Sequence, residues 1–278
     1  MTAVATLTSA TPDYTMGYGA GAVDALGRAT AESHARHLLP YLRPGLRVLD
    51  FGCGPGTISV GLAEAVAPGE LHGVDMEESQ VALARSTARV KKVENAIFQV
   101  GDATDLPFED GYFDVAHCHR LLIHVPDTHA VLAEVKRVLK PGGIISCREM
   151  ICESSFMYPD FGGTRRSWDL FEDLVAADDG HPQMGKEMKG HIVEAGFENV
   201  RMSASFSTYS TPKEIAVIYD LIDRFLLSEE IVEAAIKYGA FSRGLYSDIR
   251  SSYGKLKSHP AAFCGLAYGE AIANKPLR

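Results

Sequence analysis

Asp50, Asp75 and Asp102 each stand at the end of a short apolar run, and a glycine turn follows the first of them in "VLDFGCGPGTIS". The glycines are Gly52, Gly54 and Gly56. Such a turn at the top of a strand brings backbone close to a nucleotide-like ligand. Its G-x-G-x-G spacing departs from the dinucleotide G-x-G-x-x-G, because Thr57 stands where the third glycine belongs. The lysine of a triphosphate-cradling loop is absent as well. Asp50 would repel a pyrophosphate but attract a cationic group such as an α-ammonium. Asp75, in "GVDM", is placed to bond a ribose diol, as strand-end acids after a glycine loop do. Asp102 follows Gly101 in "VGDA" and can accept from an exocyclic adenine amine while the Ala103 N–H donates to a ring nitrogen. The ligand these groups would share has an amino-acid end, a ribose and an adenine, and needs no phosphate. Blander roles compete: Asp75 as a helix N-cap, Met76 as core packing, and Cys53 as a small filler of the turn.

The elements that must position these groups alternate along the chain. Apolar strand patterns "LRVLDFG", "ELHGVDM", "NAIFQVGDA", "YFDVAHCHRLL" and "GGIISCREMI" are separated by helical patterns such as "TISVGLAEAV" and "PDTHAVLAEVKRVL". That order predicts a doubly wound, mostly parallel α/β sheet whose strand ends meet in one crevice. "KPGG" before the fifth strand predicts a helix stop and a tight turn. A helix is expected over 21–42, presenting Leu26, Ala29, Ser33, His37 and Tyr41 on one face. Residues 153–190 are expected to form a lid-like insert, and 191–278 the end of the sheet with a helical insert at 207–258. "AAFCGLAYGEAIAN" is expected to be the last strand. With 1–40 as an arm and helix and 41–152 as the binding core, the chain reads as one domain.

"VLDFGCGPGTIS", "GVDM", "GDATDLPFEDGYFDVAHC" and "LAEVKRVLKPGG", in this order, resemble the class I S-adenosylmethionine-dependent methyltransferases. Within that class they look like the ubiquinone/menaquinone-biosynthesis type, over roughly residues 40–150. S-adenosyl-L-methionine is also the ligand implied by the three acids. The resemblance implies a seven-stranded Rossmann-like sheet with its last strand antiparallel. It places Asp50 and the loop Gly52-Cys53-Gly54 near the methionine moiety, Asp75 on the ribose and Met76 against the adenine. Gly101, Asp102 and Ala103 would lie at the adenine edge, and His117 to Arg120 would floor the methyl group. The acceptor would be a small molecule, either aromatic, quinone-like or a secondary metabolite.

Methyl transfer from a sulfonium is an in-line displacement that needs alignment and a dry pocket, and a hydroxyl acceptor also needs a general base. "HCHRLLIHV" offers His117, His119 and His124. His117 and His119 share a strand face, and His119 lies nearer the crevice mouth. Glu149, inside an apolar strand, is the other candidate, expected to pair with Arg148 or Arg120. Tyr14 and Tyr18 in "YTMGYG" could fold over the cofactor. Arg165 and Arg166 could meet an anionic acceptor or simply lie on a solvated helix face.

A net charge of −9 with no basic block argues against a nucleic-acid partner or an anionic membrane surface. The five cysteines form no C-x-x-C pair, so no metal site is assigned, and a reducing, cytoplasmic setting fits. The N-terminal residues do not read as a secretory signal, and no apolar stretch is long enough to span a bilayer. A homodimer is compatible with all of this. Two other functions stay open: a nicotinamide-dependent oxidoreductase, and a non-catalytic S-adenosylmethionine-binding regulatory protein.

Overall fold

A computed structural model describes residues 27–237 and 242–278. Tyr14 and Tyr18 lie outside them, so the cofactor-covering role of the N-terminal tyrosines is not part of the described structure. The five central strands are β1 (Arg47–Phe51), β2 (Glu70–Asp75), β3 (Ala96–Val100), β4 (Phe113–His119) and β5 (Leu139–Met150). Between them run α2 (Thr57–Val66), α3 (Glu78–Lys91) and α4 (Thr128–Val138). β1 is buried on both faces, as the middle strand of a parallel sheet must be. The helix starts are chemically specified: Glu77 caps α3 through the Ser79 N–H, and Asp127 caps α4 through the Ala130 N–H.

The remaining strands are β6 (Phe156–Tyr158), β7 (Glu198–Tyr209) and β8 (Phe263–Asn274). The order runs β3-β2-β1-β4-β5-β8, with β8 antiparallel to β5 and β7 along the far edge of β8. β6 pairs with Phe263–Gly265 of β8, just beyond the stretch that β5 occupies. The doubly wound sheet is therefore as expected, but it has eight strands rather than seven. The extra strand comes from the 153–190 segment, which is stitched into the sheet rather than merely laid over it. α5 (Gly163–Ala177) follows, then α6 (Met184–Glu194). α7 (Pro212–Leu221), a π turn at Ile222–Leu226, α8 (Glu229–Lys237) and α9 (Arg243–Ser258) fill the helical insert before β8.

Two local expectations are corrected. The helix forecast over 21–42 is, in its described part, only α1 (Ala31–His34) and a 3₁₀ turn at Leu39–Tyr41. Thr30 and Ser33 cap α1 reciprocally, but the chain leaves the helix at Ala35, and Pro40 has no N–H to continue it. Ala35 and Leu38 are instead fully buried in a core shared with α2. "KPGG" is not a turn between elements. It lies inside β5, where Leu139 pairs Phe113 and Ile144 pairs Val115, so the extra residues are absorbed as a bulge with Gly142 at φ +78°.

Side-chain alternation then sorts the sheet. Val48, Val115, Ile144 and Ile272 point to the face covered by residues 29–38, α2 and α3. Leu49, Phe51, Ala116, Ile145 and Cys147 point to the other, which also buries Val131 and Leu132 of α4 and Met184 and Met188 of α6.

Candidate functional site

Gly52, Gly54 and Gly56 all have positive φ, which explains the residue type at each. A Cβ on Gly52 would strike Leu121, and one on Gly56 would strike Ala84 of α3, whereas Gly54 faces open space. The Gly52 and Cys53 N–H groups both donate to the Val74 carbonyl, tying the loop to β2. Asp75 completes the tie: its two oxygens accept from the Gly54 N–H at 2.9 Å and the Glu77 N–H at 3.1 Å. A carboxylate has about four lone-pair sites, so each oxygen keeps one for a further donor. Burial raises the Asp75 pKa, and its backbone hydrogen bonds oppose that rise.

Met76, next along, is 55% exposed, so the core-packing role is excluded and an apolar wall stands beside Asp75. Across the crevice, Gly101 donates to the Asp75 carbonyl and Asp102 Oδ1 accepts the Thr104 N–H. Asp102 is exposed, and its other oxygen has no partner among the described residues. Asp50 is sunk beneath the loop, where its Oδ2 accepts the Ser59 hydroxyl. Burial pushes its pKa up to about 7, against the Ser59 hydrogen bond. Cys53 is buried against Gly73 with its thiol pKa pushed well up by burial, so it fills space and is not a nucleophile.

β4 carries the histidines. His117 lies in one register row with Asp50 and Ser146, and His119 in the next with Arg148 and Glu270. They share a face, as their spacing predicts. His34, the last residue of α1, and His37, just after it, fold onto that same face. The His34 ring packs edge-on against His119, with centroids 5.0 Å apart, and against Tyr268. His37 Nε2 meets the Ser146 hydroxyl at 3.0 Å, and His117 Nδ1 meets the same hydroxyl at 3.1 Å. His37 Nδ1 lies 3.9 Å from Glu270, which also holds Arg148 and the hydroxyls of Ser203 and Ser205. The Arg148 guanidinium sits 3.5 Å above the Tyr268 ring. Burial lowers the pKa of His34 and His37 to about 4 and of His117 and His124 to about 3, and holds His119 well below 6.5. All five are neutral imidazoles at neutral pH.

Glu149 departs from its expected role. It points to the opposite face from Arg148, and its partners are not arginines. Oε1 accepts the Leu121 and Leu122 N–H groups at 3.0 and 2.9 Å, and Oε2 accepts that of Ile123. The carboxyl therefore caps the turn after β4. It is fully buried, which raises its pKa to about 7 although the three backbone hydrogen bonds oppose this. Arg120 enters that turn at φ +57°, a strained setting for a long side chain, and its buried Nε has no hydrogen-bond partner among the described residues. Arg165 pairs with Asp169 and Glu172, and Arg166 with Asp248, on the surface of α5.

Residues 42–196 match the family of methyltransferase domains. The chain is 34% identical over 215 residues to an uncharacterised methyltransferase of Schizosaccharomyces pombe, covering 72% of this chain and 75% of that protein. It is 35% identical over 176 residues to demethylmenaquinone methyltransferase of Staphylococcus aureus, covering 58% and 71% respectively. This chain belongs to the methyltransferase-domain family. It is an S-adenosylmethionine-dependent methyltransferase, and the oxidoreductase and regulatory alternatives are not favoured. In fold it resembles phosphoethanolamine N-methyltransferase 2 of Haemonchus contortus, solved in complex with S-adenosyl-L-methionine. That likeness has a TM-score of 0.53 at 20% identity and covers 84% of this chain and 50% of the other.

The methyltransferase's crevice residues suit such a cofactor. Asp75 has spare lone pairs for a diol, Met76 is exposed apolar surface for a base, and the Ala103 N–H has no partner among the described residues. The sequence reading missed four members of the histidine face: His34, His37, Glu270 and Tyr268. A signal existed for three of them. His34 and His37 are three apart in "SHARH", and Glu270 is the lone charge in an apolar strand.

Proposed function

We propose that this methyltransferase methylates a hydroxyl of a small, aromatic or quinone-like acceptor bound over the histidine face, with His119 as general base. The carrying observation is one hydrogen bond. His119 Nδ1 lies 3.2 Å from the Arg148 carbonyl, which can only accept. Nδ1 must therefore carry the proton, and Nε2 presents its lone pair. His119 is half-buried at the end of β4, between the rings of His34 and Tyr268, so an acceptor can reach it from the crevice. Bound S-adenosylmethionine supplies a methyl group on a positively charged sulfur, and that charge is lost as the methyl leaves. An imidazole that gains the acceptor's proton in the same event keeps the local charge constant. His117, which bonds Ser146 in the interior, supports the floor, and the half-buried His34 ring beside His119 suits an aromatic acceptor.

In the cofactor's site, Asp75 would hold the ribose, Met76 the adenine face, and Asp102 with Ala103 its edge. Gly52, Gly54, Gly101 and Arg120 would line the path, and Asp50 would act from beneath the loop. Calorimetric titration with S-adenosylhomocysteine, comparing wild type with Asp75→Ala, tests the cofactor assignment: binding should be lost in the variant. A panel of phenols and hydroxyquinones then tests the acceptor. His119→Ala should lower kcat by roughly 10²- to 10⁴-fold while S-adenosylhomocysteine still binds. Undiminished turnover by His119→Ala would remove the base from that role.

A further inference from the structure

Away from the crevice, three histidines converge where the turn before α6 meets the N-terminus of α4. His181 lies in that turn, His191 in α6 and His129 in the first turn of α4. The rings of His181 and His191 are 5.5 Å apart, and those of His191 and His129 are 5.8 Å apart. Methyl transfer uses none of them.

We infer that His181, Glu187 and His191 form a binding site for a divalent transition-metal ion such as zinc. One ligand atom from each of these residues lies within 4.8 Å of the others. Glu187 and His191 are four apart on α6, so they project from one helix face as a chelating pair. His181 is anchored independently, because its N–H donates to the Ile123 carbonyl at 2.8 Å. Two orphaned atoms point to a missing ligand. His181 Nε2 and His191 Nδ1 are both buried and neither has a hydrogen-bond partner among the described residues, an unusual state for a buried polar atom. Imidazole nitrogen with carboxylate oxygen is a donor set that suits zinc, nickel, copper or cobalt, with water completing the shell.

A neighbouring set competes for His191. His129 Nε2 and Glu194 Oε2 lie 3.3 Å apart, already in polar contact without an ion, which favours the His181 set as the one that needs an ion. Bound metal would pin the turn before α6 to α6 itself. Through His181 and Ile123 it would also brace the turn after β4 that Glu149 caps.

The test uses the full-length, untagged chain after dialysis against a chelator. Titration with zinc should give one equivalent bound with micromolar affinity and a raised thermal midpoint. Cobalt in its place should give the intense visible absorption of a four-coordinate ion. His181→Ala and His191→Ala should each weaken binding at least tenfold, whereas His129→Ala should leave it in place. Binding no tighter than millimolar overturns the site, as does binding undiminished in both variants. Loss in His129→Ala with retention in His181→Ala would move the ion to the neighbouring set and overturn the assignment made here.

Discussion

Glu149 shows how much a residue's partners decide. Judged by type and burial alone, a carboxyl with a pKa raised to about 7 is what a general base should be. Three of its lone pairs, however, are spent on consecutive backbone N–H groups. The two roles separate in Glu149→Gln. Glutamine keeps one acceptor oxygen but turns an NH₂ towards at least one of those N–H groups, donor against donor. The expected cost is about 1–3 kcal/mol of stability, read from urea unfolding at pH 8. Binding of S-adenosylhomocysteine should change little, and kcat should fall only as far as the turn loosens. A base would behave in the opposite way, with kcat lost by a hundredfold or more and the unfolding midpoint unmoved. His119 is the reverse case: its partner is a single carbonyl, which leaves one nitrogen chemically available.

Among the elements, α6 is the piece on which the turn after β4 rests. It lies flat on β5 and β8 because glycines meet there: a Cβ on Gly269 of β8 would enter the backbone of Gly185, and a Cβ on Gly185 would press on the carbonyls of Glu149 and Met150. Backbone cannot move aside as a flexible side chain can. Gly269→Ala should therefore lift α6 and lose about 1–3 kcal/mol in urea unfolding. Gly190→Ala, which meets only open space on the same helix, should cost nothing or stabilise by a few tenths of a kcal/mol. Equal midpoints for the two variants would show that the close approach does not matter. The elements readable in advance were those whose own residues dictate them. The Thr57–Val66 pattern predicts α2, and apolar runs mark the strands that deliver Asp50, Asp75 and Asp102. The misses share a physical cause. The 21–42 stretch reads as one helix, but after α1 its described part gives up helical bonds to seat Ala35, His37 and Leu38 on the sheet. "KPGG" looks like a turn, but pairing with β4 draws it into β5. β6 has only three residues, too few for a pattern. Each outcome depends on a distant partner, which local spacing does not carry.

Across the whole molecule, the buried titratable groups set how stability responds to pH. His34, His37, His117, His119 and His124 are all held neutral, with pKa values far below the 6.5 of the unfolded chain. As pH falls through 6.5, the unfolded chain takes up protons at these sites and the folded chain does not, so stability drops. Asp50 and Glu149 act the other way. Their folded values of about 7 lie above their unfolded ones, so between about pH 4 and 7 the folded state holds two protons that the unfolded chain has released. Among these seven groups, five sites against two leave the unfolded chain with about three more bound protons at pH 5. That corresponds to a slope of roughly 4 kcal/mol per pH unit, against a total stability of about 5–15 kcal/mol for a typical domain. Near pH 7 the two sets nearly cancel, so stability should peak close to neutrality and fall steeply below pH 6. Urea midpoints at pH 7.5, 6.5 and 5.5 measure this directly. A midpoint at pH 5.5 equal to or above that at pH 7.5 would mean that the histidines take up protons in the folded state. In that case His119 could not stand as a neutral base, because the same burial that makes acid destabilising keeps its Nε2 free of a proton.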